Sequence, residues 1–440
     1  MQHSFSPHLV LPFFLIIICS SLVSVKSFQS LFELPQFLQP FENWVSSNKV
    51  SVNDHGAKGD GVTDDTKAFI DAWELACSFH SRTTLEIPEG KVYLIGQIDF
   101  GGPCRSKLTL SVSGTIAAPE DPHFWDGLNP RKWLYFHGVD HLVIKGNGTI
   151  NGMGMKWWEQ SCKCNPDNPC RHAPTAITFH RCNNLKVHDL TILNSQQIHM
   201  AFTNCYDVKA SGLKVMAPQN SPNTDGIHIS SSKHVQVIDS EIATGDDCIS
   251  IVGNTSFVRI KDITCGPGHG VSIGSLGKYN SCSQVYDVMV DGAKIFNTEN
   301  GVRIKTWQGG SGFVRKINFW NVWMSNVSNP IIIDQYYCDS PFLCPNQTLS
   351  VKVDRVSFIG IVGTSATEEA IRFACSDSFP CESIRLANIQ LSYPDGDTTS
   401  YCWNAFGSSS GLVYPSPCFS YGEHIIEQSI LSRTTLHSIT

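Results

Sequence analysis

Six side chains between positions 225 and 305 could do acid–base chemistry on a bound substrate. Asp225, Asp247 and His269 recur at intervals of 22 residues, Asp246 stands beside Asp247, and Arg303 and Lys305 follow in the string VRIK. Clustered carboxylates repel unless one is protonated or a partner compensates the charge, so such a group can supply both a proton donor and a base. An imidazole beside them can tune the proton, and two cations can hold an anionic substrate. Taken singly, each residue has a plainer reading: aspartates before strands stabilise turns, a histidine between glycines fits a turn, and alternating cations form a solvated face. Only their common spacing favours chemistry.

For residues 22 apart to meet, the chain must return to the same place once per interval. Short alternating apolar stretches supply that return. They begin at Ile177, Met200, Ile227, Ile249, Val271, Val302 and Ile331, with separations of 22 to 31 residues. A second series begins at Leu185, Val208, Val235, Val258, Val285 and Val314. A period near 25 residues, with two or three strands and no helix per unit, indicates an all-β solenoid: a parallel β-helix of about ten coils stacked about 4.8 Å apart. Leucine-rich repeats need a regular leucine pattern that is missing, and a propeller blade needs about 40 residues. In this phase Asp225, Asp247 and His269 each lie two residues before an aligned strand and share one face. Arg303 and Lys305 point outward if Val302 and Ile304 point inward. The segment Thr63–Cys77 reads as an N-terminal capping helix, with Asp64 or Asp65 as its N-cap.

The chain has 440 residues, 41% hydrophobic and only 16% charged, with a net charge of −7. This composition excludes disorder and argues against bulk attraction to nucleic acid or an anionic membrane, so a polyanionic substrate must be met locally. An apolar run from Leu9 to Cys19, followed by small residues, reads as a secretory signal peptide over 1–27. Residues 28–49 then form an extension and 50–440 the β-helix with its caps. Cleavage would leave 16 of 17 cysteines, an even number suited to an oxidising compartment, and sequons at Asn147, Asn254, Asn326 and Asn346 agree with export. Short separations suggest pairing of Cys265 with Cys282, Cys338 with Cys344, Cys375 with Cys381, and Cys402 with Cys418. Trp157 and Trp158 are expected to pack under a loop.

The strings NTDG at Asn223–Gly226, GDDC at Gly245–Cys248, GHG at Gly268–Gly270 and RIK at Arg303–Lys305 resemble the four motifs of the polygalacturonases, glycoside hydrolase family 28. Longer strings such as APQNSPNTDGIHIS and NGVRIKTWQGGSG resemble its plant branch, from about Val50 to Cys418. The resemblance implies a single-stranded right-handed parallel β-helix that hydrolyses α-1,4-galacturonan in pectin with inversion, without metal or other cofactor. It further implies Asp246 as proton donor, Asp225 and Asp247 acting on the water, and His269 tuning the acid, whose protonation the crowded aspartates would favour. Arg303, Lys305, Tyr337 and Asn223 would bind substrate, with Tyr336 beside the expected tyrosine. His199 and His228 could line further sugar subsites. A secreted cell-wall monomer follows, with no nucleic-acid or membrane partner, and the WWEQSC segment inclines the expectation toward internal cleavage. Two other readings stand beside this one. A calcium-dependent pectate lyase would use the aspartates as ligands, and a non-catalytic wall-binding protein would keep only the fold.

Overall fold

A computed structural model describes residues 47–340 and 342–419. The expected signal peptide and all but the last three residues of the extension lie outside the described residues. Eleven strands, from Ile98–Gly101 to Thr399–Trp403, form one sheet in which every strand pairs in parallel with the next coil's strand. Each coil adds strands on the remaining faces, as Lys233–Ile238 and Glu241–Ala243 do. The fold is a parallel β-helix.

The register of the eleven-stranded sheet follows the apolar spacing. Ile177 lies opposite Met200, then Ile227, Ile249, Val271, Val302 and Ile331 in unbroken sequence. All seven side chains are buried in the core. Full burial of each such side chain contributes about 1.5–3 kcal/mol, and a one-residue slip would turn the whole set to solvent, so the register is strongly held. Phe100, Phe136, Phe179 and Phe202 extend the core as a stack with centroids 4.6, 5.2 and 5.5 Å apart.

The second apolar series is in register from Leu185 to Val258, but Val258 pairs with Val288, and Val285 pairs with Val314. The third strand of each coil, such as Lys214–Met216 or Lys294–Phe296, buries one central apolar residue. The first described strand, Asn48–Ser51, pairs with Thr83–Ile87. Helix Thr66–Ser78 buries Ala68, Phe69, Ala72, Trp73 and Ala76. Asp65 holds the N-cap position, but its carboxylate accepts from Lys58 N and Gly59 N instead of the helix, and Asp64 Oδ1 accepts from Thr66 N at 2.9 Å.

One expected disulfide is corrected. Cys265 pairs with Cys248, not Cys282. Cys248 and Cys265 are both fully buried on adjacent coils, whereas Cys282 is exposed at the start of strand Cys282–Asp291. The other three expected pairs form, joined by Cys77–Cys104 and Cys162–Cys170. Cys164, Cys182, Cys205 and Cys282 stay free, so the even count did not mean full pairing. Alkylation of the unreduced protein should therefore label Cys164 and Cys282, leaving buried Cys182 and Cys205 unlabelled until unfolding. Peptide mapping that recovers a Cys265–Cys282 bridge would overturn this pairing.

Candidate active site

Strands Ile227–Ser230, Ile249–Ile251, Val271–Leu276 and Asn300–Thr306 lie side by side, and Asp225, Asp246, Asp247 and His269 occupy the turns just before the first three. Backbone bonds fix the stacking of these turns. Gly226 N donates to Asp247 O at 2.9 Å, Cys248 N to Gly270 O at 2.8 Å, and His269 N to Asp246 O at 2.8 Å. Gly270 has φ +80°, and a Cβ there would stand 2.0 Å from Asn300 O. His269 is thus presented by a turn that only glycine can complete.

Asp247 is the anchor of the cluster, at 2% exposure. Its Oδ1 accepts from Arg303 Nη2 at 2.8 Å and Ser272 Oγ at 2.7 Å, and its Oδ2 from Lys305 Nζ at 2.8 Å. Arg303 Nε also donates to Ser272 Oγ at 3.0 Å. Arg303 and Lys305 leave the core to Val302 and Ile304, yet they are only 8% and 7% exposed. They are therefore not a free basic strip, because a buried carboxylate needs its charge compensated and these cations do so.

Asp246 Oδ1 accepts from Asp247 N at 2.8 Å and His269 Nδ1 at 3.1 Å, while Asn223 Nδ2 lies 3.4 Å from its Oδ2. His269 Nε2 lies 3.2 Å from Glu299 Oε2. Against an ionised Asp246 the Nδ1 atom must be the donor, and the Glu299 carboxylate beside Nε2 favours the imidazolium. Burial works against that charge, but Asp246 and Glu299 outweigh it and raise the His269 pKa above its ordinary value. Burial likewise raises Asp246, and the His269 hydrogen bond and charge overcome it, so Asp246 falls below the usual carboxylate value. Asp225 goes the other way: burial first, then the charges of Asp246 and Asp247, push it well up. Crowding thus favours a proton on Asp225, not on Asp246 as the sequence suggested, because only Asp246 has an imidazolium against it.

Ser250 Oγ donates to Asp225 Oδ2 at 2.7 Å and lies 2.8 Å from His228 Nδ1. Burial lowers His228 to about 4. His199 is fully buried, its Nδ1 3.1 Å from Asp225 O, so it braces the turn from inside and lines no subsite. Tyr337 stands with its ring centroid 5.3 Å from Lys305 Nζ and 5.7 Å from the Trp307 ring. Tyr336 lies elsewhere on the face, with Trp403. Trp157 and Trp158 are buried, and Trp158 Nε1 donates to Ser195 O. Sequence reasoning missed Ser250, Ser272 and Glu299. The two serines left a signal, since they hold the same outward position in ISI and VSI, two coils and one coil before Arg303.

Asp246, Asp247 and His269 offer ligand atoms within 4.8 Å of one another, close enough to surround a cation. The donor set fits one poorly. Both Asp247 oxygens already face full positive charges, and His269 donates where a ligand would have to accept.

Two loops meet above this face. Lys163 Nζ, in the loop before strand Thr175–His180, lies 2.5 Å from Asp339 Oδ1, which follows strand Asn329–Asp334. The intervening strands carry the whole cluster.

Residues 77–411 match the profile of Glycosyl hydrolases family 28. The chain is similar to a probable polygalacturonase of Arabidopsis thaliana, at 54% identity over 99% of both chains. It is also similar to a polygalacturonase of Persea americana, at 52% identity over 81% of this chain and 76% of the relative. In structure it resembles an exopolygalacturonase from Thermotoga maritima, with a TM-score of 0.69 at 21% identity, covering 82% of this chain and 90% of the other.

Proposed function

The chain belongs to glycosyl hydrolases family 28, and from that membership we propose that it is a polygalacturonase whose reaction is carried by the Asp225–Asp246–Asp247–His269 cluster. The substrate is the α-1,4-linked galacturonate backbone of pectin, lying along the outer face of the eleven-stranded sheet. The observation that carries the assignment of roles is Asp246 bonded to an imidazolium, with a second carboxylate of opposite shift one coil away.

Hydrolysis needs a proton on the leaving oxygen and a base for the water. The Asp246–His269 pair holds one proton between Oδ1 and Nδ1, and Asp246 passes it to the glycosidic oxygen, leaving a neutral imidazole behind. Asp225 takes the proton from water. Its raised pKa makes it the stronger base once ionised, whereas both oxygens of Asp247 are held by cations. Asp247 fixes Arg303 and Lys305, whose remaining donors, with Tyr337 above Lys305, meet a sugar carboxylate. Asn223 steadies Asp246. No step requires a metal.

The pH dependence has a definite sign. Activity falls as pH drops through the raised Asp225 pKa, because the base is then protonated, and falls again as pH rises through the raised His269 pKa, because the pair has lost its proton. The profile of kcat/KM should therefore be a bell bounded above the ordinary carboxylate value of about 4 and above the ordinary histidine value of about 6.5. Replacing His269 by glutamine should remove the alkaline limb's dependence on that group. Proton NMR should show the β-anomer first, since inversion at an α-linkage yields β. Initial α-anomer, or an unsaturated product with chelator sensitivity, would sink the inverting hydrolase.

Internal cleavage is favoured because the sheet face continues past the cluster in both directions, to Tyr135 and His180 on one side and Arg372 and Tyr401 on the other. Secretion to the cell wall agrees with six disulfides and with sequon asparagines that are all exposed. Among the described residues, no helix is long and apolar enough to cross a membrane.

A further inference from the structure

The columns that carry Arg303 and Lys305 do not end at the catalytic cluster. Arg303 lies opposite Ile332, then Arg372, then Tyr401, while Lys305 lies opposite Asp334, then Ala374, then Trp403. By strand spacing, Arg372 is about 10 Å and Tyr401 about 14 Å along the axis from Arg303. There the face opens into a cavity of about 510 Å³ lined by Asp334, Tyr336, Arg372, Ala374, Tyr401 and Trp403. Tyr401 and Trp403 are 39% and 51% exposed, so a large part of each aromatic ring is open to solvent.

The charges differ in kind from those around Asp247. Arg372 Nη1 pairs with Glu369 Oε1 at 2.9 Å, and its guanidinium lies 4.7 Å from the Tyr401 ring centroid. Trp403 Nε1 donates to Asp377 Oδ1 at 2.7 Å, and Asp334 Oδ1 accepts from Tyr336 N at 2.9 Å. One cation thus stands among three acids, Glu369, Asp334 and Asp377, so the net charge of the cavity is negative. An ionised sugar carboxylate would be repelled here, whereas aromatic surface beside fixed hydrogen-bonding groups suits an uncharged pyranose ring.

We propose that Tyr401, Trp403 and Arg372 form an outlying subsite that binds an uncharged sugar unit of the same polysaccharide, such as a methyl-esterified galacturonate, two to three units beyond the bond being cleaved. The occupant follows from continuity of the face: a coil rise of about 4.8 Å is close to the length of one pyranose unit, so a chain held at Arg303 and Lys305 is carried over this cavity. The subsite rests on the polygalacturonase reading for the path of the chain. It would let the enzyme work on partly esterified pectin while the catalytic cluster still takes an ionised unit.

The test is binding, measured by calorimetry in an Asp246→Asn background so that the polymer survives, with kinetics in parallel. Three probes are used: trigalacturonate, a long de-esterified galacturonan and a long partly methyl-esterified pectin. Trp403→Ala and Tyr401→Ala should each weaken binding of the esterified pectin about tenfold, the scale of one lost aromatic contact, and leave trigalacturonate unchanged. Trp403→Phe should restore most of the loss, which separates a lost contact from a damaged fold. Equal affinity of parent and variants for the esterified pectin overturns the subsite, and equal losses on both long polymers overturn its preference for uncharged units. Binding of pectin with these selective losses, but no cleavage by the parent, would instead overturn the hydrolase reading while the subsite stands.

Discussion

Replacing Asp246 by asparagine is expected to lower turnover on galacturonan at least about 100-fold while fold and affinity persist. Asparagine keeps an oxygen where Asp246 Oδ1 accepts from Asp247 N and His269 Nδ1, so the turn and the imidazole should stay in place. What is lost is the only route from the His269 proton to the glycosidic oxygen. A substrate with a leaving group that needs no protonation separates this loss from any other. On a galacturonyl fluoride, Asp246→Asn should recover most of the parent rate. Asp225→Asn should not, because its defect lies in activating water. The shift directions make this contrast necessary, since Asp225, not Asp246, is the carboxyl pushed upward in the resting site. If Asp225→Asn is the variant rescued by fluoride, Asp225 is the acid and the roles are exchanged. Near-normal turnover by Asp246→Asn on polymer would refute the mechanism outright.

What could be read from the chain, and what could not, divides along physical lines. Strands of the main sheet set core-facing apolar residues at alternate positions, as in IHI, ISI, VSI and VRI, so their register from Ile177 to Ile331 followed from apolar spacing alone. The third strand of each coil buries one residue, such as Ile242, and a single apolar position has no period to detect. The column of Asp225, Asp247 and His269 was legible because it keeps phase with those strands. The bonds made within it were not. Arg303 reaches Asp247 across 56 residues and two coils, and nothing in RIK shows that both cations would be spent on one buried acid. The Cys265 partner was misread for a similar reason: proximity in sequence favoured Cys282, while the face each cysteine occupies selected Cys248. Electrostatics is the least legible layer, since the opposite shifts of Asp225 and Asp246 depend on which acid has the imidazolium.

Asp247→Ala is expected to destabilise the fold by about 3–5 kcal/mol, the cost of leaving a buried charge without its partner. Two cations lose their counter-charge at once, Arg303 and Lys305 being 8% and 7% exposed, and Ser272 Oγ loses its acceptor. Either cation can be deleted at lower cost, since Asp247 then keeps one partner at 2.8 Å. Lys305→Ala and Arg303→Ala should chiefly weaken oligogalacturonate binding, by about 1.5–3 kcal/mol for a lost charge-assisted contact. The order of denaturation midpoints should thus be parent, then single-cation variants, then Asp247→Ala. The decisive comparison is Asp247→Ala with Lys305→Met added. If the penalty arises from orphaned charge, removing one of the two unpaired cations should return part of the lost stability, so the double variant unfolds at a higher denaturant concentration than Asp247→Ala alone. Additive losses would show that Asp247 acts through packing or backbone geometry, and the reading of Arg303 and Lys305 as its compensating charges would fall with them.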